Sequence, residues 1–367
     1  MSRILISGYY GFNNAGDDVV LYGIISALRR EQPNMSLAVL SNQPERTTSL
    51  FGIPAYNRWS LPVILRELMK SDMLVMGGGT LMQDVTSPRS VLYYLGIVSI
   101  AKMLGKPVVF YAQGFGPILK PISRRLIKQV VNRVDVITVR DYESGDDFQA
   151  CGVTKAPIYV TADPAMTISP DDISSDRGRE LLQALFADLS KPLVAISVRD
   201  WKQEQAFKEV IARASDLFLD KGWNVLFLPM HYPSDLAPSR EIIGMMNRPG
   251  AKLLDEAVTF HDIMSVLKQC DYVVGMRLHS LILACMLQTP FTGISYDPKI
   301  DRFVERAGMP CAGHITQLQD AELLSLLEER ISQLDREKAI IREHSEILSR
   351  EAAKSSELVL QALRQKK

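Results

Sequence analysis

The chain has 367 residues, 47% of them hydrophobic and 23% charged, which is more than one compact core usually holds and favours two domains. Lys plus Arg and Asp plus Glu each number 42, a neutral balance that argues against a general nucleic-acid binder. No apolar run reaches the ~18 residues of a membrane span; the closest, at 91–101, stops at Lys102.

Short apolar runs alternate with helical patterns. Strands are expected at 3–7, 37–40, 73–76, 108–111, 136–139 and 158–160, then at 193–198, 224–228, 272–274 and 291–294. Helices are expected between them, among them 17–30, 90–104, 123–133, 204–219 and 278–287. The strand runs are apolar without alternation, as in strands covered on both faces. Alternating βα units predict an α/β protein with two doubly wound, Rossmann-like domains facing a cleft. A stretch rich in Pro, Asp and Ser at 167–179 separates them. An N-terminal domain is therefore expected at 1–168 and a C-terminal domain at 176–334. Neither Gly nor Pro occurs after residue 315, so two helices are expected there, the last at 335–367 able to pack back on the first domain. The first residues read as a strand rather than a leader peptide, and the four cysteines form no CxxC pair. Both features fit a reducing cytosol.

In sheets of this kind ligands settle beyond the carboxyl ends of the strands. One such place holds a short strand, Gly275, and then Arg277, His279 and Ser280 at a helix start. A helix start exposes N–H groups and the positive end of the macrodipole, so an anion can settle on it. Arg277 adds fixed charge, and His279 can take or give a proton near neutral pH; a satisfied core histidine is the lesser alternative. After the first strand, the run from Gly8 to Asp18 contains Asn14, Gly16 and Asp17. It is neither GxGxxG nor a P-loop, and Asp17 would repel phosphate, so a neutral polyol is the better guest. Helix capping by Asn14 or Asp17 competes with that reading. Gly77, Gly78 and Gly79 offer a floor without side chains, with Gln83 and Asp84 beside it to bond hydroxyls; a tight turn would also explain the glycines.

Arg140 and Arg199 each follow a strand and suit bidentate capture of phosphate or carboxylate, unless each pairs with a neighbouring acid. Lys299, after Asp297 and Pro298, can place a point charge on a phosphate. His231 follows a strand, and a site role and a bland one balance there. His261 reads as part of a helix start, and His314 and His344 as surface. Without HExxH, a Cys/His cluster or an acidic triplet, no metal is expected. One helix carries Lys120, Arg124, Arg125, Lys128 and Arg133 beside Leu126 and Ile127. It suits an anionic membrane surface, or is an ordinary amphipathic helix.

Three runs stand out together: Gly8 through Asn14, Gly16 and Asp17; Gly77 through Gln83 and Asp84; and Gly275 through Arg277, His279 and Ser280. With Arg140 and Asp297 to Lys299 in the same order, they closely resemble the polysaccharide pyruvyltransferases. The match is nearest the bacterial cell-surface-anchoring type, which pyruvylates secondary cell wall polymer in S-layer anchoring. The resemblance implies a GT-B-like fold and phosphoenolpyruvate as a co-substrate, with no cofactor. It implies an N-acetylmannosamine-containing, lipid-linked glycan as acceptor. It also implies a cytoplasmic site of action, with peripheral contact at the inner face of the plasma membrane. The donor carries phosphate and carboxylate, which Arg140, Arg277, Lys299, Ser280 and Arg199 would bind. His279 would be the principal acid/base group and Asp17 a second one. Asn14, Gly16, Gly78, Gly79, Gln83 and Asp84 would line the acceptor side. A nucleotide-sugar-dependent GT-B glycosyltransferase and a non-catalytic glycan-binding protein are the alternatives.

Overall fold

The computed structural model describes residues 2–84, 88–202 and 204–365. The chain divides into two compact units. The first comprises Met1–Phe12, Asp17–Ile168 and Leu348–Lys367; the second comprises Asn13–Gly16 and Ser169–Ile347.

The chain begins with β1 (Arg3–Ser7), α1 (Ala15–Glu31), β2 (Ser36–Ser41), α2 (Pro44–Phe51), β3 (Ala55–Asn57), α3 (Leu61–Lys70) and β4 (Met73–Met76). It continues through β5 (Gly79–Met82), α4 (Pro88–Met103), β6 (Val108–Phe115), α5 (Pro121–Val131), β7 (Val136–Val139), α6 (Tyr142–Ala150) and β8 (Ile158–Val160). The second set is α7 (Asp176–Leu185), β9 (Leu193–Ser197), α8 (Ala206–Asp220), β10 (Asn224–Phe227), α9 (Leu236–Met245), β11 (Lys252–Leu253) and α10 (Phe260–Leu267). Then come β12 (Tyr272–Gly275), α11 (Leu278–Met286), β13 (Phe291–Ser295), α12 (Pro298–Arg306), β14 (Cys311–His314), α13 (Asp320–Ser332) and α14 (Leu334–Arg364).

The first sheet runs β3-β2-β1-β4-β6-β7-β8, with β5 attached to β6; the second runs β11-β10-β9-β12-β13-β14. Every pairing within them is parallel. Each order steps outward one way, returns to the centre and steps out the other way. The strand sequence therefore reverses between β1 and β4, and again between β9 and β12. Crevices at such reversals are where doubly wound sheets hold ligands. The central strands are apolar on both faces because helices cover both: Ile4, Leu5 and Ile6 of β1 are 0% exposed.

Four short strands fall outside the sequence expectation. β3, β11 and β14 are sheet edges, where AYN, KL and CAGH need only one neighbour and carry no apolar run. β5 begins at Gly79, a poor strand former, and exists through its pairing with β6. The final part of α14 is tied to the first unit by a buried hydroxyl chain. Ser355 Oγ lies 3.0 Å from Thr138 Oγ1 and donates to Thr161 Oγ1 at 2.9 Å.

Candidate active site

At the reversal in the second unit, Gly275 pairs in register with Ser197 of β9 and Gly293 of β13. The chain then turns sharply into α11. A Cβ at Gly275 would stand 2.6 Å from Ser280 Oγ, so the turn closes only over glycine. Ser280 N–H and Oγ donate to the Arg277 carbonyl at 2.9 and 2.6 Å. The hydroxyl expected to touch donor is therefore buried and engaged in shaping the turn. His279, half-buried, rides on the first turn of α11.

The short Asn13–Gly16 segment belongs to this same unit and backs the histidine. A Cβ at Gly16 would fall 2.1 Å from His279 Nδ1, so the imidazole occupies the space of the missing side chain. Asn14 forms an antiparallel bridge with His231, and Ala15 N–H donates to Met230 O at 3.2 Å. Asn14 Oδ1 also accepts from Gly16 N–H at 3.1 Å, a cap on the start of α1.

Arg277 has a partner that sequence reading did not supply. Its Nε donates to Asp235 Oδ2 at 3.0 Å, and its Nη2 donates to Oδ1. The Asp235 side chain is 1% exposed and the Arg277 side chain 16%. Asp235 Oδ2 accepts further from His231 N–H at 2.9 Å and Met230 N–H at 3.2 Å. The Arg277 charge is thus answered internally, and the pair fixes the loop that carries His231.

The strands flanking β12 bring other cations. Arg199, past the end of β9, donates from Nη1 to the Tyr296 hydroxyl at 3.0 Å. Its guanidinium lies 4.8 Å from the Tyr296 ring centroid and 5.4 Å from that of Trp201. Lys299 Nζ stands 5.7 Å from the Tyr296 ring and 3.3 Å from the Asp297 carboxylate. Tyr296 therefore spaces two cations that follow the strands either side of the one leading to His279. Trp201 and Tyr296 went unremarked in the sequence, because nothing local marks an aromatic as a spacer.

At the reversal in the first unit, Asp17 sits in the opening turn of α1. Its Oδ1 lies 3.5 Å from where a Gly79 Cβ would stand, and Gly79 has φ +95°. Arg140 follows β7 and is 8% exposed. Its Nη2 donates to Thr80 Oγ1 at 3.2 Å, and Asp163 and Asp141 carboxylates lie 3.5 and 3.7 Å from the guanidinium. Gly114 leaves it room, since a Cβ there would meet Nη2 at 2.8 Å. Asp17, Gly79, Thr80 and Arg140 are thereby gathered at one strand-end surface. Gly78 instead packs inward, where a Cβ would meet Val20 at 2.9 Å. Gln83 Cβ would stand 2.6 Å from a Gly116 Cβ. The buried Asp84 carboxylate accepts from Leu119 N–H at 2.7 Å and Lys120 N–H at 3.0 Å. Burial raises its pKa, but bonds from Leu119, Ser123 and Lys120 outweigh that and hold it below the ordinary carboxylate value. Asp84 thus organises a loop from within.

An aromatic cluster joins this surface. Buried Arg58 donates to Gly8 O at 2.8 Å and to the Tyr94 hydroxyl at 3.2 Å. Its guanidinium lies 4.5, 5.0 and 5.2 Å from the rings of Tyr93, Trp59 and Phe12. Tyr9 stacks on Phe12 at 4.1 Å. Burial, then the Asp17 charge, raises the Tyr9 pKa, with Arg58 opposing; Tyr9 feels both groups. Trp59 is 61% exposed and is steadied by its indole N–H donating to Asn42 Oδ1 at 2.8 Å. Among the described residues, no group of three His, Cys, Asp or Glu side chains gathers to hold a metal.

A model of the polysaccharide pyruvyl transferase family matches residues 14–298, from the Asn14 cap to the start of α12. The chain belongs to that family. It is a polysaccharide pyruvyltransferase, an enzyme that transfers a pyruvyl group to a polysaccharide. The amylovoran biosynthesis protein AmsJ of Erwinia amylovora is 20% identical over 380 residues, covering 88% of this chain and 90% of AmsJ. Among solved structures, HepE of Anabaena in complex with UDP-glucose aligns with TM-score 0.67 and 13% identity, covering 100% of both chains. UDP-GlcNAc 2-epimerase of Neisseria meningitidis bound to UDP-GlcNAc aligns with TM-score 0.65 and 13% identity, again over 100% of both. At such identities the likeness establishes the two-domain, GT-B-like fold of the pyruvyltransferase and no more.

Proposed function

We propose that the enzyme moves pyruvate from phosphoenolpyruvate onto two hydroxyls of one acceptor sugar, forming a cyclic ketal and releasing phosphate. The acceptor in this reading is an N-acetylmannosamine-containing, lipid-linked precursor of a cell wall glycan. The chain would thus act in the cytoplasm, as the cell-surface-anchoring type does, with peripheral contact at the inner membrane surface. In this reading residues 176–334 form the donor side and residues 1–168 the acceptor side.

The observation that carries the proposal is the placement of His279. Its ring stands on a helix start, is seated on Gly16, and follows the strand flanked by those leading to Arg199 and Lys299. A phosphate and a carboxylate on a three-carbon donor suit two spaced cations and a helix start. Carbon 3 of the enol accepts a proton, leaving an oxocarbenium-like carbon 2. One sugar hydroxyl adds there and loses its proton. The bond between carbon 2 and the phosphate oxygen then breaks, its electrons leaving with phosphate. A second hydroxyl adds to carbon 2, loses its proton and closes the ketal. His279 serves as principal acid/base group, and Asp17 as base toward an acceptor hydroxyl. Arg140 is given a donor-binding role, and Asn14, Gly79 and Gln83 acceptor-side roles.

Phosphate release from phosphoenolpyruvate, dependent on added glycan, tests the reaction. His279→Gln should lower turnover by at least ~100-fold with the fold intact. A folded variant with near-normal turnover removes His279 from the chemistry. Absence of glycan-dependent phosphate release from the wild type overturns the donor assignment.

A further inference from the structure

Helix α4 packs between α3 and α5. A surface helix ordinarily turns a polar stripe to water, whereas α4 turns out aliphatic side chains, Leu92, Ile100 and Met103, beside a few polar ones, Ser90, Ser99 and Lys102. Two of these polar groups are engaged, Ser99 Oγ donating to Leu95 O at 2.7 Å and Lys102 Nζ pairing with Asp135 Oδ2 at 2.7 Å. Leu92 is 50% exposed and Met103 79%. Leu119 and Ile122, at the start of α5, are 70% and 58% exposed. Among the described residues fourteen large hydrophobic side chains are exposed, and eight of them lie in α3, α4 or α5 or within two residues of these helices. Scattered exposed apolar residues are ordinary, but eight of the fourteen at three neighbouring helices make a patch.

Charge is equally lopsided. Residues 85–134 contain eight Lys or Arg and no Asp or Glu, although the whole chain balances 42 against 42. Lys120, Arg124, Arg125 and Lys128 are all exposed, while α5 buries only Ser123, Ile127 and Val131. The sequence had pointed to α5 alone. The structure adds the exposed aliphatic side chains of α4, Leu92 and Met103, beside it and the aliphatic tips at the start of α5.

We infer that the α3–α4–α5 face of the first unit seats on an anionic lipid leaflet. Aliphatic tips lie beside exposed cations, and the one acid within α3, α4 and α5, Glu67, has a side chain only 1% exposed; such a face matches a surface that is apolar within and negative at its headgroups. A protein interface is depleted in lysine, whereas Lys120 and Lys128 stand exposed beside these aliphatic tips. The inference deepens the proposed function by naming how the enzyme meets a lipid-linked acceptor, and it draws on that reading only for the reason to be at a membrane.

Sedimentation of the full chain with vesicles tests it. The protein should pellet with phosphatidylglycerol vesicles, remain in solution with phosphatidylcholine vesicles, and lose binding as salt rises. Each cation near an anionic leaflet contributes about fivefold in partition, so Arg124→Glu plus Lys128→Glu should cost at least ~25-fold. Met103→Ser plus Ile122→Ser should weaken binding several-fold at every salt concentration. Lys221→Glu plus Arg240→Glu, an equal change of charge in the second unit, should leave binding unchanged. An environment-sensitive dye on Met103→Cys should shift blue on adding anionic vesicles. Failure to pellet, retention of binding by the α5 charge variant, equal loss in the second-unit control, or an unshifted dye each overturns the inference. Transfer to a water-soluble acceptor separates the two claims. If the wild type transfers to neither this acceptor nor a detergent-solubilised lipid-linked one while vesicle binding persists, the reaction is wrong and the membrane face stands.

Discussion

Replacing Gly16 with alanine isolates the seating of His279 from the chemistry of every other group. Gly16 is not among the residues with positive φ, so alanine suits its backbone. In the opening turn of α1 it would even gain up to about 1 kcal/mol of helix propensity. The added Cβ, however, would stand 2.1 Å from His279 Nδ1 and 2.6 Å from Cγ, where ordinary contact begins near 3.4 Å. The imidazole must therefore retreat by more than an ångström or turn aside. Misplacement by ~1 Å commonly costs about 100-fold in rate, or roughly 2.7 kcal/mol of barrier. Gly16→Ala should accordingly lower kcat by about two orders of magnitude while the melting temperature holds or rises. Phosphate release under saturating phosphoenolpyruvate and glycan reads the first, and calorimetry the second. In a His279→Gln background the same substitution should cost little more, because both changes remove one function. Wild-type kcat in Gly16→Ala, or full additivity with His279→Gln, would refute the argument that glycine is there to seat the histidine.

Three further outcomes follow from contacts in the structure. Asp235→Ala strands Arg277 without its buried partner and should destabilise the protein by about 3–5 kcal/mol in denaturant titration; an unchanged midpoint would mean that the pair is solvated. Tyr296→Phe keeps the ring between Arg199 and Lys299 but deletes the acceptor of a 3.0 Å bond. The KM for phosphoenolpyruvate should rise about 5- to 10-fold with kcat nearly unchanged, and an unaltered KM would take Arg199 out of donor binding. Asp84 has a folded pKa below its unfolded value, so its contribution to stability is present above about pH 4 and fades as pH falls through the folded pKa. Asp84→Asn should lower stability near neutrality and flatten its fall in acid, and denaturation curves that keep the wild-type acid slope would count against this.

What the sequence made legible was whatever a single segment determines. β1, β4, β9 and β12 each announce themselves as apolar runs, because burial on both faces demands it, and the glycine after β12 marks the turn that carries His279. The edge strands escaped because one neighbouring strand is enough to hold them, and β5 because pairing with β6 overrides its opening glycine. Residue identity was also more legible than residue purpose. Gly16 was assigned to an acceptor surface, whereas its geometry serves an imidazole brought against it from a distant part of the chain. Charges show the same divide most clearly. Read one at a time, Arg140, Arg277, Arg199 and Lys299 are four equal cations. Folding gives Arg277 to Asp235 and surrounds Arg140 with Asp141 and Asp163, while Arg199 is held by a neutral phenol and two aromatic faces that leave its charge uncancelled. An anion approaching the second unit should therefore respond more strongly to Arg199 than to Arg277, the reverse of what proximity to His279 in sequence suggests.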